Sequence, residues 1–310
     1  MNSIINIAPA TREGSHILLS LTGPSGSGKT YTGLEIGRGL VGSRGRIGFL
    51  DTETGRGRLY SDVTAYDYAE LTPPFTPQRM IAAIDAFEAH GCDCLIIDSA
   101  SHEWEGVGGC HDIAEASKKQ GLLKWAAPKA QHKRFVGRLL SARMHIITTL
   151  RAREKYTQTR DPETGRDVIV NGGFHEIQER NFIYEQTVSV LLLGGGRKIV
   201  TKCPAPLIPC FGPVGVESEG WLNRSTGEFM AEWVKGGKPV DQVWEAVRRE
   251  AFDAADQGVE AYRKFFSSLI KSHQKRLTET DHENLKSIAL QADEDRSSPE
   301  ADPEDADEAA

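Results

Sequence analysis

Apolar runs of strand length recur along the first two thirds of the chain, and helical spacing fills the gaps between them. Residues 16–22 (HILLSLT), 46–51 (RIGFLD), 94–98 (CLIID) and 144–150 (MHIITTL) are near-continuous apolar stretches. Strands buried on both faces lose the polar alternation of a half-exposed sheet, so these four predict a mostly parallel sheet covered by helices. Residues 29–40 read as the first helix despite Gly33, Gly37 and Gly39, and the helix-weakening glycines point to close packing against the sheet. Thr76 and Pro77 form a capping start for a second helix that runs to His90, with Met80, Ile81, Ile84 and Phe87 on one side. A third helix of roughly four turns is expected over residues 129–143.

Residues 187–193 and 197–202 flank Gly194, Gly195 and Gly196 and predict an antiparallel hairpin. A more polar hairpin is expected over 154–169, turning at Asp161-Pro162-Glu163-Thr164-Gly165. Residues 240–290 are helical in pattern, and Val259, Tyr262, Phe265, Phe266 and Leu269 mark one core-facing side. From residue 292 the chain is rich in Asp, Glu, Pro, Ser and Ala and should be disordered. The expected organisation is an arm (1–15), an α/β core (16–235), a small helical module (236–291) and an acidic tail (292–310).

Composition is that of an ordinary globular chain, with 39% hydrophobic and 26% charged residues. No apolar run approaches the roughly 20 residues of a membrane helix, and residues 1–10 lack the pattern of a signal peptide. No membrane partner is expected, and a cytoplasmic location follows. The net charge of −7 is uneven. Nine acids against Arg296 alone give −8 from residue 293 onward, which leaves the preceding residues at +1. The five cysteines are expected as buried or half-buried thiols rather than a zinc site, because Cys92 and Cys94 have no second close pair. Trp104, Trp125, Trp221, Trp233 and Trp244 read as packing anchors.

The most specific motif is Gly23-Pro24-Ser25-Gly26-Ser27-Gly28-Lys29-Thr30, a phosphate-binding loop between a strand and a helix. Its glycines let backbone N–H groups face phosphates at a helix N-terminus. The motif predicts ATP-Mg2+ binding, with Tyr31 at its edge, Lys29 reaching the β- and γ-phosphates and Thr30 ligating magnesium. Asp98, ending an apolar strand, is the second candidate magnesium ligand. Hydrolysis also needs a carboxylate to activate water, and Glu53, Glu103 and Glu105 are all candidates.

The order of these motifs resembles the RecA-like ATPase core, in particular phage-encoded ATPases that include RecA-like single-strand annealing proteins. The stretches LTGPSGSGKT, GFLDTETGRGRLY, LIIDSASHEWEG, HIITTLRAREKY and RKIVTKCPAP carry the resemblance, over roughly residues 17–233. It implies a RecA-like P-loop NTPase fold and ATP hydrolysis, with Glu53 as the catalytic carboxylate and Tyr60 stacking on adenine. It further implies Lys198 and Lys202 acting on a neighbouring subunit's ATP, hence a homo-oligomeric ring or filament with ATP at its interfaces. Gly57 stands where an acidic adenine contact is expected, and Thr148, Thr149 or Arg151 would have to sense the γ-phosphate.

The same resemblance implies single-stranded DNA as a partner, a phage or host DNA-binding protein as another, and the bacterial host cytoplasm as the location. DNA would meet residues 151–180, where Arg151, Arg153, Lys155, Arg160, Arg166 and Arg180 are mixed with acids and Gly172-Gly173-Phe174-His175 would bring an aromatic to a base. Lys129, Lys133, Arg134, Arg138 and Arg143 are expected to form a solvated helix face. Two other functions fit parts of the pattern: an ATP-driven switch acting on a protein partner, and a small-molecule kinase. The kinase lacks an arginine-rich lid and has no use for the late lysine hairpin.

Overall fold

The computed structural model describes residues 10–12, 14–160, 166–237 and 241–297. Of these, 12–237 form one compact unit, and 241–297 with residues 10 and 11 form another.

The larger unit is built on nine strands among the described residues: β1 (Leu18–Gly23), β2 (Ile47–Asp51), β3 (Asp67–Glu70), β4 (Cys94–Asp98), β5 (His145–Arg160), β6 (Asp167–Glu176), β7 (Val188–Gly194), β8 (Arg197–Lys202) and β9 (Glu217–Glu219). Their order is β3-β2-β4-β5-β1-β7-β8-β9, and β6 pairs only with β5. From β3 to β7 every neighbouring pair is parallel, whereas β7-β8 and β8-β9 are antiparallel. The apolar runs of the sequence are the buried strands, with β1, β2 and β4 buried at every position.

Helix α1 (Lys29–Val41) follows β1, α2 (Pro77–Ala89) follows β3, and two short helices, α3 (Ser101–Glu105) and α4 (Cys110–Glu115), follow β4. Next come α5 (Ala126–Leu140), α6 (Ile208–Phe211) and α7 (Arg224–Lys235). Thr76 caps α2 by accepting from the Arg79 amide, with Pro77 at the first turn. Two separate apolar clusters hold these layers. One centres on Leu19, Leu21, Leu34, Phe49 and Val190, the other on Met80, Ile84, Leu95, Phe135 and Ile146. On α5 and just beyond it, Arg138 bonds Asp85 and Glu88, and Arg143 bonds Glu88. Those hydrogen bonds, with the Arg143 amide first among them, hold the Glu88 carboxyl down at about 2.

Three glycines of α1 serve two partners. Gly33 and Gly37 face β-sheet side chains, with Ile96 and Ile147 at 3.6–3.7 Å from a Cβ built on them. Gly39 instead lies on α7, where a Cβ would come within 2.0 Å of the Arg224 carbonyl oxygen. Helix α7, which the sequence pattern did not predict, is thus the reason for one of the three. It starts at an Asn223–Thr226 capping box.

The hairpin expected over residues 154–169 forms with wider bounds. In the structure β5 continues unbroken from the core to Arg160 and pairs antiparallel with β6, from Ala152↔Glu176 to Arg160↔Asp167. The turn at 161–165 lies outside the described residues.

The smaller unit comprises α8 (Gln242–Asp256), α9 (Val259–Ser268), α10 (Lys271–Thr280) and α11 (His282–Ser297). Trp244, Ala251, Tyr262, Leu277 and Leu285 form its core, with Val259, Phe265, Phe266 and Leu269 packed against it. Helix α11 corrects the expected tail boundary, because it extends through residues 292–297. Asp293 there accepts a hydrogen bond from the Val259 amide at 2.9 Å and pairs with Arg296, so the first acids are structural. Residues 298–310 of the tail, like most of the arm, lie outside the described residues. No described helix is long and apolar enough to cross a membrane.

Candidate functional site

The loop between β1 and α1 turns through Gly26 and Gly28, both at positive φ (79° and 92°), a region glycine enters without steric cost. Gly23 is fixed by space instead: a Cβ there would lie 2.4 Å from Ser27 Oγ and 2.5 Å from the Leu192 carbonyl oxygen. No side chain caps α1. A helix start without a cap leaves N–H donors and the positive end of the dipole for an anion.

A cleft of about 460 Å³ opens over this loop, lined by Ser25, Gly26, Gly28, Lys29 and Thr30 together with Glu53, Tyr60, Asp98 and Arg151. Lys29 Nζ donates to the carbonyls of Gly23 (3.0 Å) and Pro24 (2.8 Å). Burial lowers its pKa; Asp98 and Glu53 oppose that shift and Arg151 adds to it. Thr30 Oγ1 donates to Asp98 Oδ2 at 2.6 Å, and Thr149 Oγ1 donates to Asp98 Oδ1 at 2.5 Å. Burial raises the Asp98 pKa against the pull of these two hydroxyls. A hydroxyl and a carboxylate meeting in a phosphate cleft are the hard oxygen donors that magnesium takes, so the residues present fit the expected ion. Ser27 Oγ, buried and without a partner, leaves a further polar atom in the loop.

Glu53 lies on the turn after β2 and lines the cleft. Its carboxylate faces Arg151 Nε at 3.3 Å and Arg56 at 3.6 Å. The two other candidates go elsewhere. Glu103 is fully buried beside His132, and Glu105 pairs with Arg153. Asp51, which sequence reasoning passed over, shapes the Glu53 turn. It accepts from the amides of Glu53 (2.6 Å) and Gly57 (2.7 Å) and from the Tyr68 hydroxyl (2.9 Å). Burial, with that bond second, pushes the Tyr68 pKa up to about 12. Nothing in the sequence separates such an aspartate from any other acid at a strand end. Gly57 is also explained by packing, since a Cβ there would strike the Phe49 ring at 2.3 Å.

Among the three γ-phosphate sensors considered, only Arg151 lines the cleft. Thr149 is taken by Asp98, and Thr148 donates to the Leu19 carbonyl. Tyr60 lines the cleft, whereas Tyr31 is 49% exposed and does not line it.

The lysines of the late hairpin are not brought to this cleft. Lys198 is 5% exposed, and its ammonium donates to the carbonyls of Glu219 (3.3 Å) and Gly220 (2.8 Å). Burial lowers its pKa. Within its own chain the ammonium is held by the turn at residues 219 and 220. Lys202 is half-buried and donates to the Tyr184 carbonyl of its own chain. Of the tryptophans, Trp104 and Trp244 are buried as expected, but Trp221 is 67% exposed over Gly196.

The family model for the AAA domain (AAA_24) matches residues 16–179, more than half of the 310-residue chain. The chain belongs to this AAA-domain family. As an AAA domain of the P-loop ATPase class it has a mixed α/β core with a mostly parallel sheet, of the RecA-like P-loop NTPase kind. Among solved structures it is similar to a KaiC-like protein from the hyperthermophilic archaeon Pyrococcus horikoshii, at 14% identity and a TM-score of 0.37, covering 62% of this chain and 81% of that one. No curated protein matches the chain.

Proposed function

We propose that this AAA-domain protein hydrolyses ATP in the cleft over residues 23–30 and couples that cycle to single-stranded DNA, as a phage-type recombination or annealing ATPase. The observation that carries the first half is the convergence of Lys29, Thr30, Asp98 and Glu53 on one cleft at an uncapped helix start. Lys29 binds the β- and γ-phosphates, and the loop amides orient them. Thr30 and Asp98 would hold magnesium, which would supply neutralisation of the phosphate charge. Glu53 orients water and takes its proton, and Arg151 contacts the γ-phosphate. Tyr60 offers its ring to the base.

The DNA reading is supported by a single element. Strand β5 carries Arg151 in the cleft and continues without a break into the β5–β6 hairpin, where Lys155 and Tyr156 are exposed. A strand that holds a cleft residue at one end and a basic, aromatic surface further along can transmit a nucleotide-dependent shift to a bound strand. In a homo-oligomer Lys202 would face a neighbour's ATP.

ADP formation measured with and without single-stranded DNA tests this. ATP turnover that rises with DNA is expected. Turnover indifferent to DNA would move the second half of the proposal to a protein partner, and no ADP under any condition would end the first half.

A further inference from the structure

On α3, α4 and α5, three buried side chains of different chemistry meet. Glu103 of α3, Cys110 of α4 and His132 of α5 are 0%, 0% and 6% exposed. One donor atom from each lies within 4.8 Å of the others. Cys110 Sγ is 3.3 Å from Glu103 Oε1, and His132 Nδ1 is 3.0 Å from Glu103 Oε2. We infer that this triad is a binding site for a divalent transition-metal ion of the zinc class, separate from the magnesium site.

Geometry, charge and the elements joined all favour an ion here. Zinc bonds of about 2.0–2.3 Å in a tetrahedron set neighbouring donors roughly 3.3–3.7 Å apart. The two pairs on Glu103 Oε1, 3.3 Å to Cys110 Sγ and 3.2 Å to His132 Nδ1, are already within a few tenths of an ångström of that spacing, and the three donors all lie within 4.8 Å of one another. A carboxylate and a thiolate together carry two negative charges, which cancel a divalent cation in a place where net charge is costly. A sulfur, a nitrogen and an oxygen donor suit zinc, and do not suit magnesium or calcium. One proton leaves per ion with His132 neutral: the Cys110 S–H bond breaks, the sulfur bonds the metal and the proton passes to solvent, while the imidazole carries its hydrogen on Nε2 and leaves Nδ1 to bind.

Helices α3 and α4 are five and six residues long, too short to stand alone, whereas α5 has fifteen. A metal bridging all three fixes the segment that follows Asp98. That segment carries His102, whose ring bonds Thr52 Oγ1 (2.7 Å) beside Glu53 and lies 3.4 Å from Arg151. A surface groove of about 290 Å³ has His132 in its lining, with Lys129, Glu179 and Glu185.

The test is metal binding by the full chain in excess Mg2+, read by zinc content after dialysis and by the thiolate-to-cobalt absorption band when Co2+ replaces zinc. One ion per chain and a cobalt–thiolate band are expected. Cys110→Ser and His132→Ala should each lower zinc affinity by about 100-fold or more, above the 10- to 100-fold typical of outer-shell partners. The double variant Cys203→Ser/Cys210→Ser should keep both signals. Because a substitution in a buried triad can unfold the chain, the wild-type spectrum decides on its own. Absence of the band and of bound zinc would overturn the site. So would zinc bound equally well by folded Cys110→Ser protein.

Discussion

At the ends of β1, β2 and β4, Lys29, Glu53 and Asp98 share one cleft with an uncapped helix start; across the sheet on β8, Lys198 and Lys202 are tied to main-chain carbonyls of their own chain. Lys29 also rests on carbonyls, those of Gly23 and Pro24. Contact with carbonyls therefore does not separate a functional lysine from a structural one. What differs is the neighbourhood. Around Lys29 there are donors and acceptors that further ligands can use, including the loop amides and the Asp98 carboxylate. Around Lys198 the charge is enclosed by the turn it holds. A cation on the right strand of a resembling fold is not yet a catalytic cation.

The largest effect that sharpens this contrast is at Glu53. Glu53→Gln should leave nucleotide binding intact and slow hydrolysis by about 100- to 10,000-fold, the range for a positioned acid or base. Nucleotide fluorescence paired with single-turnover hydrolysis reads both halves. Should Glu105→Gln have that effect instead, the water-activating residue has been misplaced. Next is Lys202→Ala, expected to lower turnover by about 100-fold in assembled protein, the size of losing one charge-stabilising donor. Mixing it with Lys29→Ala protein should partly restore activity, because one interface then regains both halves. No recovery at any ratio, with assembly verified by light scattering, would remove the shared site.

Lys198→Ala should behave in the opposite sense. Leaving the Glu219 and Gly220 carbonyls without their donor should cost about 1–3 kcal/mol of stability with turnover per folded molecule unchanged. Denaturant midpoints and active-site-normalised rates distinguish the two lysines, and a catalytic defect without destabilisation would erase the contrast. The smallest effect concerns residues 298–310, which add six acids and no base. Their removal should raise single-stranded DNA affinity by roughly threefold at low salt, a gain that salt screens away. Equal anisotropy titrations at low salt would take the tail out of the mechanism.

Much of this site was legible in the sequence because its chemistry is local. The loop from Gly23 to Thr30 reads directly, and apolar runs placed Glu53 and Asp98 at strand ends. What escaped was set by long-range packing. Strand β3 is too polar to stand out, its four residues being only half-buried or exposed. Helix α7 is recognised by its close approach to Gly39 rather than by its own pattern. The inward turn of Lys198 depends on a chain segment 21 and 22 residues away. The Glu103–Cys110–His132 meeting was missed because cysteine spacing directs attention to other cysteines, whereas the fold supplies a carboxylate and an imidazole.

The central claim, that this cleft turns over ATP, is tested most directly by phosphate release from ATP-Mg2+ by wild-type and Lys29→Ala protein, each verified as folded by circular dichroism. The account predicts steady release by the wild type and a rate near background for Lys29→Ala, since the loop lysine acts on phosphate and its bonds within the chain are to the loop's own carbonyls. Equal release by the two folded proteins would contradict it.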